Sequence, residues 1–311
     1  MFSIIILYAI CATTFTLSKA ALAYSAPFFY VAVRMLIAGT LLLGYSFFTR
    51  IKKAYSSHIS SSHTLSSNGI SPEPLTTRTL FIFAQIVLFH ISIPYLAEMW
   101  ALTHITSTES SLIYNLSPFI TAVLAYLWFS ERLSKRQIIG LFIGISSTIP
   151  LIWQNYACSG NTLISGNIAA LLAVLVAVIS SAYAWILIKD LLQHQYSISY
   201  INGIAMLGGG IIAFIVSILS HEWAHGAPVS AWIPFITLTL AIIVVANIIF
   251  YNWYGILLKK YSPTLLAFAG ILTPIFTNIF GTLFLGECFI WMNVVALACL
   301  GIGMTLFITK K

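Results

Sequence analysis

Ser117-Pro118-Phe119-Ile120-Thr121-Ala122, closed by Glu131, recurs 156 positions later as Thr273-Pro274-Ile275-Phe276-Thr277-Asn278, closed by Glu287. The register holds without a gap, and Leu127 falls on Leu283. The offset is about half of the 311-residue chain, and both copies lie in long apolar runs. The chain therefore reads as a duplicated helical membrane protein, an arrangement that builds solute pathways between its halves.

Composition supports the membrane assignment. The chain is 60% hydrophobic and 7% charged, with a mean hydropathy of +0.99. A soluble core of this size could not bury so much apolar surface, so lipid is the expected solvent. Cys11, Cys288 and Cys299 sit in apolar runs and only Cys158 in an expected loop, which suggests no disulfide framework or metal cluster. The first apolar run lacks the basic leader of a signal peptide. It also has an internal counterpart, because the stretch from Cys11 to Lys19 matches that from Ser181 to Lys189. It is therefore expected to stay as a helix.

Apolar windows of about 20 residues fall near 3–22, 27–49, 79–101, 107–129, 136–153, 165–187, 199–220, 232–256, 262–285 and 288–308. The expectation is an all-α integral membrane protein with ten transmembrane helices as two inverted five-helix repeats, residues 1–153 and 165–308. The Ser-rich stretch 50–78 reads as a flexible cytoplasmic loop. It explains why the first helices of the two halves are offset by 170 and the fourth by 156. With the amino terminus inside, 12 of the 14 Lys and Arg residues fall on one side, leaving Lys19 and Arg34. The positive-inside rule then places both termini in the cytoplasm of a cell (inner) membrane. It also accounts for the net charge of +7 without a nucleic-acid partner. Five helices per half invert the second copy, the arrangement of many secondary transporters that work by alternating access.

Several motifs resemble a known family. Pro27-Phe28 followed by Arg34, the Ser117–Ala122 stretch ending in Glu131-Arg132-Leu133, and Leu272-Thr273-Pro274 through Gly286-Glu287 are similar to the EamA branch of the drug/metabolite transporter superfamily. The similarity covers nearly the whole chain outside 50–78. It implies a ten-helix solute carrier with a central cavity lined mostly by helices 1–4 and 6–9. Two departures stand out: the second copy has no match for Arg34, and Cys288 replaces the Arg that follows Glu131.

Ionisable groups inside a membrane are expensive, about 2.5–3.5 kcal/mol each near a helix centre, and point to function. Arg34 lies roughly 10 Å below the outer surface at 1.5 Å per residue. Lys19, Glu98 and Glu109 fall toward the same side, so a charged or zwitterionic metabolite would find partners there. Arg34 and Glu98 are the principal substrate-binding candidates, with a structural Arg34–Glu98 ion pair as the alternative. Lys19 and Glu109 could instead snorkel to the interface. Tyr95, Tyr114, Asn115, Asn247 and Tyr251 complete the expected substrate-binding set. Trp100, Trp185 and Trp253 join Tyr95 and Tyr251 as aromatic surfaces for a planar ligand, and Gln85, His90, Asn252 and Asn278 are further polar positions. Pro118 and Pro274 free the carbonyls of Tyr114 and Gly270 and are candidate hinges, or plain kinks.

His221-Glu222-Trp223-Ala224-His225 spells the H-E-x-x-H pattern of zinc metalloproteases. That chemistry needs both histidines on one helical face and a third ligand. Here Gly226, Ala227 and Pro228 stop any helix at once, so no catalytic or metal role is expected. An intramembrane protease using His221, Glu222 and His225 is the enzyme alternative, and a channel or non-transporting scaffold the other.

The expected function is therefore a secondary active transporter, not an enzyme, without cofactor, catalytic residues or bound metal. The absence of a P-loop favours proton coupling or exchange. Helix 9 holds no Lys or Arg, which argues against the sugar-phosphate exchangers of the superfamily. The mixed charges suit an amino acid or a cationic or zwitterionic metabolite. The resemblance adds S-adenosylmethionine/S-adenosylhomocysteine exchange, which some EamA-like carriers perform. The partners are the lipid bilayer and a small-molecule substrate. The chain is a monomer or homodimer, Gly140 and Gly144 offering a small-residue packing face.

Overall fold

The computed structural model describes residues 2–60, 76–105, 110, 113–130, 132–146, 149, 168–224, 226–285, 295, 298–299, 301–303 and 305–306. Among these the named elements are all helical: α1 Phe2–Leu22, α2 Pro27–Ser60, α3 Thr77–Leu102, α4 Ser117–Phe129, α5 Lys135–Ser146, α6 Ile168–Gln193, α7 Ile198–Leu219, α8 Trp232–Leu258, α9 Pro263–Ala269 and α10 Leu272–Leu285. The only β pairing among the described residues is an isolated bridge between Ser25 and Val229.

Six of these helices are long and apolar enough to cross a membrane: Ser3–Leu22, Pro27–Thr49, α3, α6, α7 and α8. α4 is a shorter apolar helix. Large apolar side chains such as Phe48, Leu127 and Ile233 point outward, as a lipid-facing surface requires. Most of the tenth expected span lies outside the described residues, as do Glu109, Glu131, Cys158, His225, Glu287 and Cys288.

Side-chain caps start several helices where short hydroxyl residues precede apolar runs. Thr76 accepts from the Thr79 amide at 3.3 Å, Ser197 from Tyr200 at 3.3 Å, and Ser262 from Leu265 at 3.2 Å. α2 departs from expectation, continuing through residues 50–60 of the segment read as loop. Those residues contain neither Gly nor Pro, and the first breakers come at Gly69 and Pro72.

α2 and α7 pack closely against each other. A Cβ added to Gly39 would stand 2.5 Å from the Leu207 amide nitrogen, and one added to Gly210 would stand 2.8 Å from that of Leu36. The two contacts are reciprocal, since the same spacing separates Gly39 from Gly210 and Leu36 from Leu207. Close backbone approach of this kind is how helices associate in lipid, where no hydrophobic effect drives them together.

α3 and α8 share an irregularity. Val87–Ser92 in α3 and Ile243–Phe250 in α8 wind as π-helix, and their starting residues are separated by the sequence offset of the fourth and ninth spans. π segments inside α-helices concentrate at functional sites. The fourth and ninth spans also break alike, at Asn115–Leu116 and at Gly270–Ile271. The Gly270 carbonyl, expected to be freed by Pro274, instead accepts from the Thr273 amide at 2.9 Å. The turn between α9 and α10 thus satisfies it.

Candidate functional site

A cavity lies in the middle of the bundle, walled by α1, α2, α3, α4, α6, α8, α9 and α10, with Tyr114 and Gly270 contributing from the two breaks. α1 supplies Tyr8, Cys11, Phe15 and Ser18, and α6 supplies Val178, Ser181 and Trp185. Both sets recur every three or four residues, so each helix turns one stripe toward the space. α3 presents Tyr95 and Glu98, α8 presents Tyr251 and Tyr254, and α2 contributes Arg34. Ser117 and Thr273 begin or follow the two helix breaks.

Arg34 is 2% exposed, a fixed cation deep in the bundle. Its Nε donates to Asn247 Oδ1 at 2.7 Å and its Nη2 to the Tyr95 hydroxyl at 3.5 Å. The guanidinium carbon also stands 4.9 Å from the centre of the Tyr95 ring, a cation–π contact. The Asn247 amide nitrogen faces Met35 and Met206 sulfurs at 3.2 and 3.5 Å, which holds its oxygen toward Arg34.

Glu98, 8% exposed, accepts from the Tyr114 hydroxyl at 2.9 Å. The alternative Arg34–Glu98 ion pair does not form within 4 Å, whereas Arg78 and Asp190 do pair at 3.8 Å, with Arg78 exposed and Asp190 partly buried. The geometric reason is that Asn247 and the Tyr95 ring already hold the guanidinium, while Tyr114 holds the carboxylate. The cavity therefore carries a buried guanidinium and a buried carboxyl group that are not joined in an ion pair.

At the centre, the Tyr95 and Tyr251 hydroxyls meet at 2.6 Å, joining residues 156 positions apart. Beside them, Trp185 stacks on Tyr251 with ring centres 5.7 Å apart and lies 4.0 Å from Tyr254. This aromatic wall gives a planar ligand a face to stack against.

Of the expected binding residues, Arg34, Tyr95, Glu98, Tyr114 and Tyr251 are wall residues, while Lys19, Asn115 and Asn247 are not. Lys19 Nζ donates to the Leu102 and Ile105 carbonyls, the latter at 3.0 Å, and so caps the end of α3. Asn115 sits in the turn before α4, buried with its side-chain amide unpaired. Asn247 acts one layer back, through Arg34. Trp100 and Trp253 also stand away from the cavity. Gln85 accepts from Tyr183 at 2.6 Å and Asn252 from Ser199 at 2.9 Å, both interhelical ties. Pro118 and Pro274 lie just past the two breaks, in α4 and α10.

Sequence reasoning missed Tyr8, Cys11, Phe15, Ser18, Ser181 and Tyr254. A signal existed for some of them. The offset that sets Lys19 on Lys189 also sets Cys11 on Ser181 and Phe15 on Trp185, and all four of these last residues line the cavity.

The H-E-x-x-H stretch serves another purpose. Glu222 accepts from the Phe28 and Phe29 amides at 2.9 and 2.8 Å and from the Ser217 hydroxyl at 2.6 Å. It thereby caps the amino terminus of α2, where a carboxylate is favoured by both orphan donors and helix dipole. Those bonds occupy the carboxylate that a protease would need as a base. His221 stands in a left-handed turn at φ 60°, and no group of three or more metal-ligating side chains occurs among the described residues.

Comparison with known proteins fits this geometry. The EamA-like transporter family model matches residues 1–153 and 168–309. A Chlamydia muridarum protein named S-adenosylmethionine/S-adenosylhomocysteine transporter is 27% identical over 281 residues, covering 89% of this chain and 81% of its own. A Chlamydia trachomatis serovar L2 protein of the same name is 28% identical, covering 89% and 79%. One solved crystal structure shares the fold at a TM-score of 0.70 with 15% identity, covering 98% of this chain and 93% of the other.

Proposed function

The chain belongs to the EamA-like transporter family, and from that premise we propose that it exchanges S-adenosylmethionine for S-adenosylhomocysteine by alternating access. The observation that carries this reading is the unpaired charge couple beside an aromatic wall. In a low-dielectric site, separated opposite charges favour a ligand that brings both complements at once. Arg34 and Tyr95 suit the ligand carboxylate, Glu98 with Tyr114 its cationic side, and Trp185 with Tyr251 a stacked purine. The names borne by the two chlamydial relatives support the same substrate class.

The transporter spans a cell (inner) membrane ten times, in two inverted halves with both termini cytoplasmic. The two helix breaks before Pro118 and Pro274 act as its hinges. The enzyme alternative falls away, since the family consists of transporters and Glu222 is committed to a helix cap. The test is uptake of labelled S-adenosylmethionine into proteoliposomes preloaded with S-adenosylhomocysteine. Saturable uptake stimulated by the internal load is expected. Uptake no greater than in protein-free vesicles, alongside transport of amino acids, polyamines or nucleosides, would replace this substrate with another.

A further inference from the structure

His90 is 1% exposed, and neither ring nitrogen has a hydrogen-bond partner. It lies in the π segment of α3, with its ring edge-on to Trp185 at 4.6 Å and to Tyr251 at 5.0 Å. Both of those residues line the cavity, whereas His90 stands behind them. Its polar neighbour is Asn202 of α7, wholly buried and near enough to interact, yet without hydrogen-bond geometry. Buried polar side chains almost always have partners, so an orphaned pair behind a binding wall calls for a state in which it is satisfied.

The spacing that pairs Tyr95 with Tyr251 also pairs His90 with Ala246, and Ala246 does line the cavity. In inverted-repeat transporters one repeat rocks against the other around a fixed central site, so equivalent positions of the two halves can trade their places relative to the cavity. A π segment carries an extra residue in its turn, so shifting it along a helix rotates the side chains it passes. Such segments occupy both α3 and α8.

We infer that in the opposite-facing state His90 takes the wall position that Ala246 holds here, and hydrogen-bonds the polar edge of a heteroaromatic ring stacked on Trp185 and Tyr251. The inference rests on the transporter reading above and makes His90 a substrate-contacting residue on one face only. An alanine at the equivalent place gives the two faces different binding chemistry.

The test uses single cysteines in a background whose four native cysteines are replaced by serine. Ala246→Cys and His90→Cys are reconstituted and treated from each side with a membrane-impermeant methanethiosulfonate. Ala246→Cys should label from one face and His90→Cys from the other. Labelling of His90→Cys from neither face, or from the same face as Ala246→Cys, overturns the inference. His90→Gln, measured by transport from each face, should raise KM at one face at least fivefold and change it less than twofold at the other. Equal changes at both faces mean a structural role and also overturn it. If His90→Cys does not run as a homogeneous species in gel filtration, His90→Gln decides alone. An opposite-face labelling pattern indifferent to added S-adenosylmethionine would leave the assignment of His90 standing and refute the substrate.

Discussion

α3 and α8 carry the same device with different chemistry. Each is interrupted by a π segment, and each sends a tyrosine to the midpoint where Tyr95 meets Tyr251. One turn further on, α3 offers Glu98 and α8 offers Tyr254. α2 and α7 repeat the contrast: both press a glycine against the other's leucine, but only α2 brings an arginine into the cavity. These elements thus match at equivalent positions, while the arginine and glutamate lining the cavity, Arg34 and Glu98, come from one half of the chain. Under the proposed alternating access, matched elements suit a machine that opens to either side in turn, and one-sided charge would set the polarity of the bound substrate.

Removing that polarity should have the largest effect. Arg34→Ala deletes a charge-assisted hydrogen bond worth about 2–3 kcal/mol, so exchange in proteoliposomes should fall roughly 30- to 150-fold. Unchanged exchange would place the substrate elsewhere. Glu98→Gln keeps the shape and the Tyr114 contact but loses the anion. It should weaken binding of S-adenosylmethionine by roughly 5- to 30-fold, about 1–2 kcal/mol, and of the uncharged-sulfur product by less. Competition assays with both ligands measure that ratio, and equal losses would detach Glu98 from the sulfonium side.

The midpoint pair allows a sharper comparison. Tyr95→Phe and Tyr251→Phe each remove one of two hydroxyls 2.6 Å apart, at a cost of about 1 kcal/mol. Tyr95→Phe should cost more in transport, since its hydroxyl also accepts from Arg34. The reverse order would mean that Tyr251 contacts the substrate more directly. The smallest effect should come from Glu222→Ala, which lowers stability by about 1 kcal/mol through loss of the α2 cap. Thermal unfolding in detergent reads this loss. Chelators should leave transport of the wild type unchanged, whereas a metal role for the H-E-x-x-H stretch would make transport chelator-sensitive.

The amino-acid sequence by itself determined the solvent, the helical class and the family resemblance. Hydropathy is a property of short segments and needs no knowledge of neighbours. It also singled out Arg34, Glu98, Tyr95, Tyr114 and Tyr251, since ionisable and aromatic groups within apolar runs stand out against their surroundings. Which faces of the helices turn inward was decided only by tertiary packing. A helix such as α6, apolar on all sides, has no polar stripe to betray its orientation in lipid. Hence Phe15, Ser181 and Tyr254 read in the sequence as ordinary span residues. Lys19 and Asn247 have the chemistry of ligands, but packing sets one to cap α3 and the other to hold Arg34. The meeting of Tyr95 with Tyr251 likewise depends on two helices distant in sequence lying side by side, which local pattern cannot express.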